Sequence, residues 1–119
     1  PSLVGSEMCI RDRVYINDHY TEHLTLSQVA SHLNLNESYF RHLFKDEMQI
    51  SFKSYVTLLR LAHAQKLLIA SQRSINEIIQ EVGYSNITQF YKIFELNYNL
   101  TPAEYRRRYR DSYADAPPL

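Results

Sequence analysis

Apolar residues recur at helical spacing along most of this chain, and short polar breaks separate one apolar stripe from the next. Ile16, Tyr20 and Leu24 recur every four residues and predict a first helix near 14–22. Similar stripes predict six further helices, near 26–33, 37–47, 52–71, 75–82, 86–96 and 102–109. Only 2 glycines and 4 prolines occur in 119 residues. The pattern therefore predicts an all-α fold of seven helices.

Most of the predicted helices begin at a capping signal. In "TLSQ" and "SINE" a hydroxyl residue is followed three positions later by Gln or Glu, which is the capping box. The residues that form these boxes are Thr25 with Gln28 and Ser74 with Glu77. Further start signals are Asn36, Ser51 and the run of Thr101, Pro102 and Glu104. These signals place the helix starts independently of the apolar pattern.

The two halves of the chain repeat one helix–turn–helix pattern. The apolar positions of "LSQVASHL" recur 49 residues later in "INEIIQEV", and those of "FRHLF" recur 50 residues later in "FYKIF". The extra residue falls in the turn, where insertion costs little. We interpret the pattern as an internal duplication, with subdomains at 14–50 and 73–110 joined by a linker helix at 51–72.

In each copy the second helix leaves a polar stripe opposite its apolar side. The stripe consists of Ser38, Arg41, His42 and Lys45 in the first copy and, fifty residues later, of Thr88, Tyr91, Lys92 and Glu95. A major groove about 12 Å wide admits one helix, and polar side chains reach base edges there. The repetition favours a pair of DNA recognition helices over ordinary solvated faces.

The helix predicted between the copies has a length that suits DNA. About twenty residues of α-helix span roughly 30 Å. Two recognition helices in successive major grooves on one face of the duplex lie about 34 Å apart. The sequence thus predicts that the helices near 37–47 and 86–96 read two successive grooves.

The overall composition narrows the class of protein. Its 13 Lys and Arg residues balance 13 Asp and Glu residues, which counts against nucleic acid unless the basic groups share a face. No apolar run approaches the roughly eighteen residues of a membrane span. The single cysteine, Cys9, cannot form an internal disulfide and fits a reducing cytoplasm. No cofactor and no enzymatic activity are predicted.

Two terminal segments are set apart from the fold. "PSLVGSEMCIRDR", residues 1–13, has no helical period and resembles a translated sequencing-adapter leader, so we predict that it is artefactual and outside the fold. Residues 111–119 are predicted to form a frayed tail.

From about Val14 to Tyr109 the chain resembles the DNA-binding domain of AraC/XylS-family transcription regulators. The matching segments are "LTLSQVASHLNLNESYFRHLFK", "SFKSYVTLLRLAHAQKLL", "SINEIIQEVGYSN", "QFYKIF" and "TPAEYRR". The resemblance implies two helix–turn–helix subdomains joined by a long helix, and double-stranded promoter DNA as the partner. It also implies transcription activation through RNA polymerase and a separate effector or dimerisation domain upstream.

The resemblance assigns roles to individual residues. It implies base contacts by Ser38, Arg41, His42, Ile87, Thr88, Tyr91 and Lys92 and phosphate contacts by Lys45, Asn36 and Asn86. Arg41 could pair with guanine, and Ile87 could pack on a thymine methyl group. Arg60, which also matches, is expected to brace the two subdomains rather than bind DNA. The run "RRRYR", residues 106–110, is either a phosphate-facing patch or a solvated helix end.

Three positions depart from the family pattern. Gln49 and Asn99 stand where the family usually has glycine after each recognition helix; Asn tolerates a left-handed backbone, whereas Gln does so at a cost. Glu95 stands where the family usually has lysine, and its carboxylate would repel phosphate. We therefore predict that the second motif binds DNA more weakly than the first.

Two other functions fit parts of the sequence. "HYTEH", residues 19–23, matches the H-x-x-E-H pattern of some zinc peptidases, although no distal ligand accompanies it. A helical protein-interaction module, with Ile87 and Tyr91 as exposed anchors, is the main alternative to DNA binding. If His42 instead lies near phosphates, DNA affinity is expected to rise between pH 7.5 and 6.

Overall fold

A computed structural model describes residues 2–111 of the chain, with side chains from Arg11 to Arg110. This part contains seven helices and no strand. They are α1 (Ser2–His19), α2 (Leu26–His32), α3 (Glu37–Met48), α4 (Phe52–Ala70), α5 (Ile75–Glu81), α6 (Ile87–Tyr98) and α7 (Pro102–Asp111). The predicted all-α class is confirmed. None of the described helices is long and apolar enough to cross a membrane.

The first helix differs from its prediction at both ends. It begins at Ser2 rather than near 14, and it ends at His19, where the Glu22 amide closes a turn by donating to the His19 carbonyl at 3.0 Å. A helix extends from a packed segment without needing an apolar period of its own, and Ile16 provides that packed segment because it is fully buried. Residues 2–13 are therefore helical in the structure, and the side chain of Asp12 is buried.

The predicted caps are present. The Thr25 hydroxyl accepts from the Gln28 amide at 3.2 Å, and the Gln28 side chain accepts in return from the Thr25 amide at 2.8 Å. Ser74 with Glu77 and Thr101 with Glu104 make the same reciprocal pair. The hydrogen bonds from Thr101 hold the pKa of the Glu104 carboxyl below its usual range. Local sequence therefore determines where α2, α5 and α7 begin.

The chain divides into two compact units between Leu59 and Arg60, inside α4. The first unit has a core from α1, α2, α3 and the first half of α4: Ile16, Val29, Ala30, Leu33, Phe40, Phe44 and Val56. The second has its own core from the rest of α4 and from α5, α6 and α7: Leu61, Ala64, Leu68, Ile69, Ile78, Ile79, Val82, Tyr84, Phe90, Phe94 and Tyr105. Each unit thus buries one copy of the repeat.

The turn inside each copy uses one left-handed residue. Asn34, with φ of 60°, and Gly83, with φ of 108°, occupy it at the same 49-residue offset. The following amide then donates back to the preceding helix, from Leu35 to Ala30 at 2.9 Å and from Tyr84 to Ile79 at 3.1 Å. The offset becomes fifty at the next cap, so the extra residue of the second copy is Ser85.

Candidate nucleic-acid interface

Two buried phenylalanines orient α3. Phe40 and Phe44 are 0% and 1% exposed, and Phe44 makes edge contacts with Phe52 and Tyr55 at ring distances of 5.9 and 5.5 Å. With one side of the helix packed in this way, the opposite side faces solvent. The residues that the sequence assigns to this side, Ser38, Arg41, His42 and Lys45, are all exposed.

The second copy repeats this arrangement in α6, where Phe90 and Phe94 are both 0% exposed. Thr88, Lys92 and Glu95 are exposed as predicted, and Ile87 keeps 45% of its surface exposed. Tyr91 departs from the predicted outward position because its side chain is partly buried against the core of the second unit. Its ring lies edge-on to Phe90 with centroids 6.4 Å apart.

Asparagine caps both candidate recognition helices. The side-chain oxygen of Asn36 accepts from the Tyr39 amide at 3.1 Å, and that of Asn86 accepts from the Gln89 amide at 3.0 Å. Among the described residues each cap engages the oxygen only, which leaves the amide NH₂ as a donor beside the positive end of the helix dipole. Such an end can hold a phosphate.

The imidazole of His42 has a defined orientation on α3. Its Nδ1 lies 2.7 Å from the Ser38 carbonyl oxygen, which can only accept, so Nδ1 carries the proton. Nε2 is the ring nitrogen that points away from this bond, and it accepts in the neutral ring and donates in the cation. The expected rise of DNA affinity at lower pH stays a prediction that this geometry accommodates.

A contact on α3 that the sequence reasoning missed joins Arg41 to Glu37. An Nη atom of Arg41 lies 3.3 Å from the Glu37 carboxylate, one helical turn away. Glu37 is exposed and stands fifty residues before Ile87, which the sequence had assigned to base contact. Applying the same offset in reverse would have identified it.

The left-handed residues after both recognition helices are confirmed. Gln49 has φ of 67° and Asn99 has φ of 58°, and each donates its amide to the carbonyl four residues earlier. Gln49 also donates its side-chain amide to the Asp46 carbonyl at 2.8 Å. Because glutamine has a Cβ that opposes this conformation, Gln49 carries a conformational cost that glycine would not.

Several basic residues of the second unit serve its structure. Arg60 lies over the Tyr84 ring at 5.2 Å, a packing contact within the second unit. In α7, Arg106 donates to the Leu68 carbonyl at 2.9 Å and to that of Ser71 at 3.4 Å, and Arg110 also donates to Ser71. These two arginines therefore satisfy carbonyls at the C-terminal end of α4. Arg107 and Arg108 are exposed.

The zinc hypothesis finds no geometric support. The Nδ1 atom of His19 pairs with Glu22 at 2.8 Å across the end of α1. Within the part of the chain that the structure describes, no group of three or more His, Cys, Asp or Glu side chains is placed to hold a metal ion.

Comparison with known proteins relates this geometry to families. Residues 29–108 match a family model described as a helix-turn-helix domain. The chain is 35% identical over 95 residues to the lactose operon transcription activator of Staphylococcus xylosus, covering 80% of this chain and 34% of that protein. It is 37% identical over 98 residues to the regulatory protein PocR of Salmonella typhimurium, covering 82% and 32%. The chain thus spans about a third of the length of these curated relatives.

Solved structures share this fold. The C-terminal domain of AraT, a response regulator from Geobacillus stearothermophilus, superimposes with a TM-score of 0.81 and 34% identity, covering 85% of this chain and 84% of that chain. The DNA-binding domain of AdpA, solved in complex with a target DNA, gives a TM-score of 0.84 at 19% identity, covering 91% and 97%. This second likeness concerns the fold alone.

Proposed function

Since this chain belongs to the AraC-type helix-turn-helix family of DNA-binding regulators, we propose that it recognises specific promoter DNA sequences by placing α3 and α6 in successive major grooves. The observation that carries this proposal is a repeated one. In both units a pair of buried phenylalanines turns a polar stripe of the second helix toward solvent. A repeated polar face of this kind is what two helices that enter two major grooves would need.

Base recognition is assigned to the exposed stripes. In α3 the contacts are Ser38, Arg41 and His42, with Arg41 donating two hydrogen bonds to guanine. In α6 they are Ile87, Thr88, Tyr91 and Lys92. The half-exposed side chain of Ile87 suits contact with a thymine methyl group. Tyr91 contributes through the part of its side chain that the core leaves uncovered.

Phosphate contacts are assigned to groups beside those stripes. Lys45 supplies a cation, and the caps Asn36 and Asn86 supply amide donors at the start of each recognition helix. Helix N-termini bind phosphate without adding formal charge. A chain of zero net charge can therefore hold the DNA backbone.

The biological setting follows from the relatives by analogy. We propose an activator in the cytoplasm that contacts RNA polymerase, with effector binding or dimerisation carried by a further domain of the natural protein. One similar protein is named a transcription activator, and the matched region is about a third of its length.

Salt dependence tests DNA binding directly. Fluorescence anisotropy on labelled promoter fragments from the source genome is expected to show affinity falling roughly a hundredfold between 50 and 200 mM salt if about four phosphates are contacted. Lys45→Ala should flatten that slope by about one contact. The matched control is Lys66→Ala, because Lys66 is an exposed cation on α4 outside both stripes. Salt-independent binding, or no binding to any fragment, would overturn the proposal.

A further inference from the structure

Glu37 and Arg41 present an acceptor and a donor, respectively, side by side on the exposed surface of α3. The Arg41 Nη atom and the Glu37 oxygen lie 3.3 Å apart, and the side chains are 58% and 50% exposed. Among the described residues this single contact is the pair's only side-chain interaction. The second carboxylate oxygen and the remaining guanidinium N–H groups therefore point to solvent.

The duplication places Glu37 within the base-reading surface. Positions 37, 38 and 41 of α3 correspond to Ile87, Thr88 and Tyr91 of α6 at the fifty-residue offset. Glu37 and Ile87 are each the first residue of their helix, directly after the asparagine cap. If Ile87 contacts bases from this position in α6, Glu37 lies at the equivalent position in α3 and faces the major groove.

An acidic side chain at this position would bind a hydrogen-bond donor on a base rather than a phosphate. A carboxylate next to phosphate is repelled, but the floor of the major groove offers amino groups as donors. Cytosine N4 is the donor that Glu characteristically contacts, and guanine O6 and N7 are the acceptors that Arg contacts. The two bases of one C·G pair, or of adjacent pairs, expose these groups next to each other, which matches the adjacency of Glu37 and Arg41.

We propose that Glu37 and Arg41 act together as a specificity-determining pair, in which Glu37 accepts from the N4 amino group of a cytosine while Arg41 donates to guanine. Glu37 also excludes bases that present an acceptor there, such as thymine with its O4. This inference rests on the proposed function and adds a residue, and a base preference, to it.

If the Glu37–Arg41 pair only stabilises α3, a different result is expected. A carboxylate in the first turn of a helix interacts favourably with the dipole, and an exposed pair four residues apart adds little to stability. Removing such a group would alter helix stability without changing which base is preferred. The discriminating measurement is therefore base preference, with thermal unfolding as the check on folding.

Selection of sites from random duplex DNA, followed by competition binding, tests the pair in the full chain. The native chain is expected to select a site that has cytosine and guanine, in one base pair or in adjacent pairs, where α3 contacts the major groove. Glu37→Gln should lose about tenfold in preference for cytosine at one position and shift it toward adenine, because Gln pairs with adenine N6 and N7. The matched control is Asp46→Asn, which removes the same charge from an exposed position nine residues along α3, on its opposite side.

The results distinguish failure of the Glu37–Arg41 pair from failure of specific DNA binding. An unchanged base preference in Glu37→Gln, with only overall affinity or melting temperature altered, would overturn the specificity pair and leave the proposed function standing. An equal shift in Asp46→Asn would also overturn it, by assigning the effect to net charge. Failure of the native chain to select any sequence would overturn the proposed function and the pair with it.

Discussion

Arg41 is the one guanidinium among the proposed base contacts, and this chemistry sets it apart from Lys92. Its planar fork can donate two parallel hydrogen bonds to guanine, whereas an ammonium acts as a point charge. The side chain is 58% exposed and held at one edge by Glu37, so its remaining donors face outward. Most of the sequence selectivity of the chain should therefore depend on this residue.

Replacing Arg41 tests that ranking. Arg41→Ala is expected to lower affinity for the selected site by roughly 10- to 100-fold, and Lys92→Ala by less, because a bidentate base contact is worth about 1–3 kcal/mol. Titration monitored by fluorescence anisotropy at fixed salt measures both. Intact affinity in Arg41→Ala together with abolished binding in Lys92→Ala would contradict the assignment.

Gln49 carries a backbone cost that can be removed by substitution. Its φ of 67° is a conformation that glycine adopts freely. Gln49→Gly is expected to raise the free energy of unfolding by about 1 kcal/mol, and Asn99→Gly by less, since asparagine tolerates this conformation better. Urea denaturation followed by circular dichroism measures the change.

The matched control for this substitution lies in an ordinary helix. Gln80 is exposed within α5, where the backbone is right-handed. Gln80→Gly should lower stability by about 0.5–1 kcal/mol, the opposite sign. A decrease in both variants would show that the left-handed conformation at Gln49 is not costly.

At the scale of elements, α3 and α6 share a fold but differ in charge. The outward stripe of α3 ends in Lys45, and that of α6 ends, fifty residues later, in Glu95. Both helices are oriented by paired phenylalanines and begin at asparagine caps, so each helix is held in the same way within its own unit. The weaker DNA binding predicted for the second motif should then come from its side chains alone.

Reversing the charge of Glu95 tests this difference. Glu95→Lys is expected to raise DNA affinity at 50 mM salt and to steepen the salt dependence by about one phosphate contact, because it replaces a repulsion with an attraction. Asp18→Lys makes the same charge change at an exposed position on α1 and serves as the control. Equal gains in both variants would show a general charge effect rather than a role for α6.

For the whole molecule, the structure reveals a buried carboxylate in α1 that the sequence did not predict. Asp12 is 3% exposed, and one of its oxygens has no hydrogen-bond partner among the described residues. Burial raises the pKa of Asp12 from 3.8 to about 6; the Arg13 amide and charge oppose the rise, and Glu47 adds to it. A carboxylate that stays charged in so buried a position costs folding free energy.

The pH dependence of stability follows from that shift. The folded state binds the Asp12 proton more tightly than the unfolded state, so this group destabilises the fold above about pH 6 and ceases to do so as pH falls toward 3.8. Asp12→Asn is expected to raise the free energy of unfolding by about 1–3 kcal/mol at pH 7.5, with the gain shrinking at pH 4.5. Thermal unfolding at the two pH values measures it.

A matched variant isolates the buried group from other carboxylates. Asp18→Asn removes a carboxylate from an exposed position of the same helix and should change stability little at either pH. Glu104, whose pKa is lowered, contributes with the opposite sign, but it is present in every variant and cancels in the difference. A gain in Asp12→Asn that does not depend on pH would contradict the shift.

What the sequence predicted well has a local physical origin. The caps at Thr25, Asn36 and Ser74 join groups three residues apart, and the buried faces repeat at the period of one helix, so both are readable from short windows. Because the two copies repeat one pattern, the buried and exposed positions predicted in one copy also predicted those of the other. The base-contact and phosphate-contact roles remain proposals, since they concern a partner outside the chain.

The tertiary structure decided features that depend on distant residues. Arg106 and Arg110 bind carbonyls 35 to 39 residues away, a role that neither reading of the run 106–110 gave them, whereas Arg107 and Arg108 are exposed. Packing with the core also determined the partial burial of Tyr91 and the burial of Asp12. By itself, then, the sequence determined the seven helices, the starts of α2 to α7 and the repeated unit, because hydrogen bonds between near neighbours specify them. Packing between remote segments decided the partial burial of Tyr91, the burial of Asp12 and the roles of Arg106 and Arg110, because these contacts join residues that no short stretch of sequence brings together.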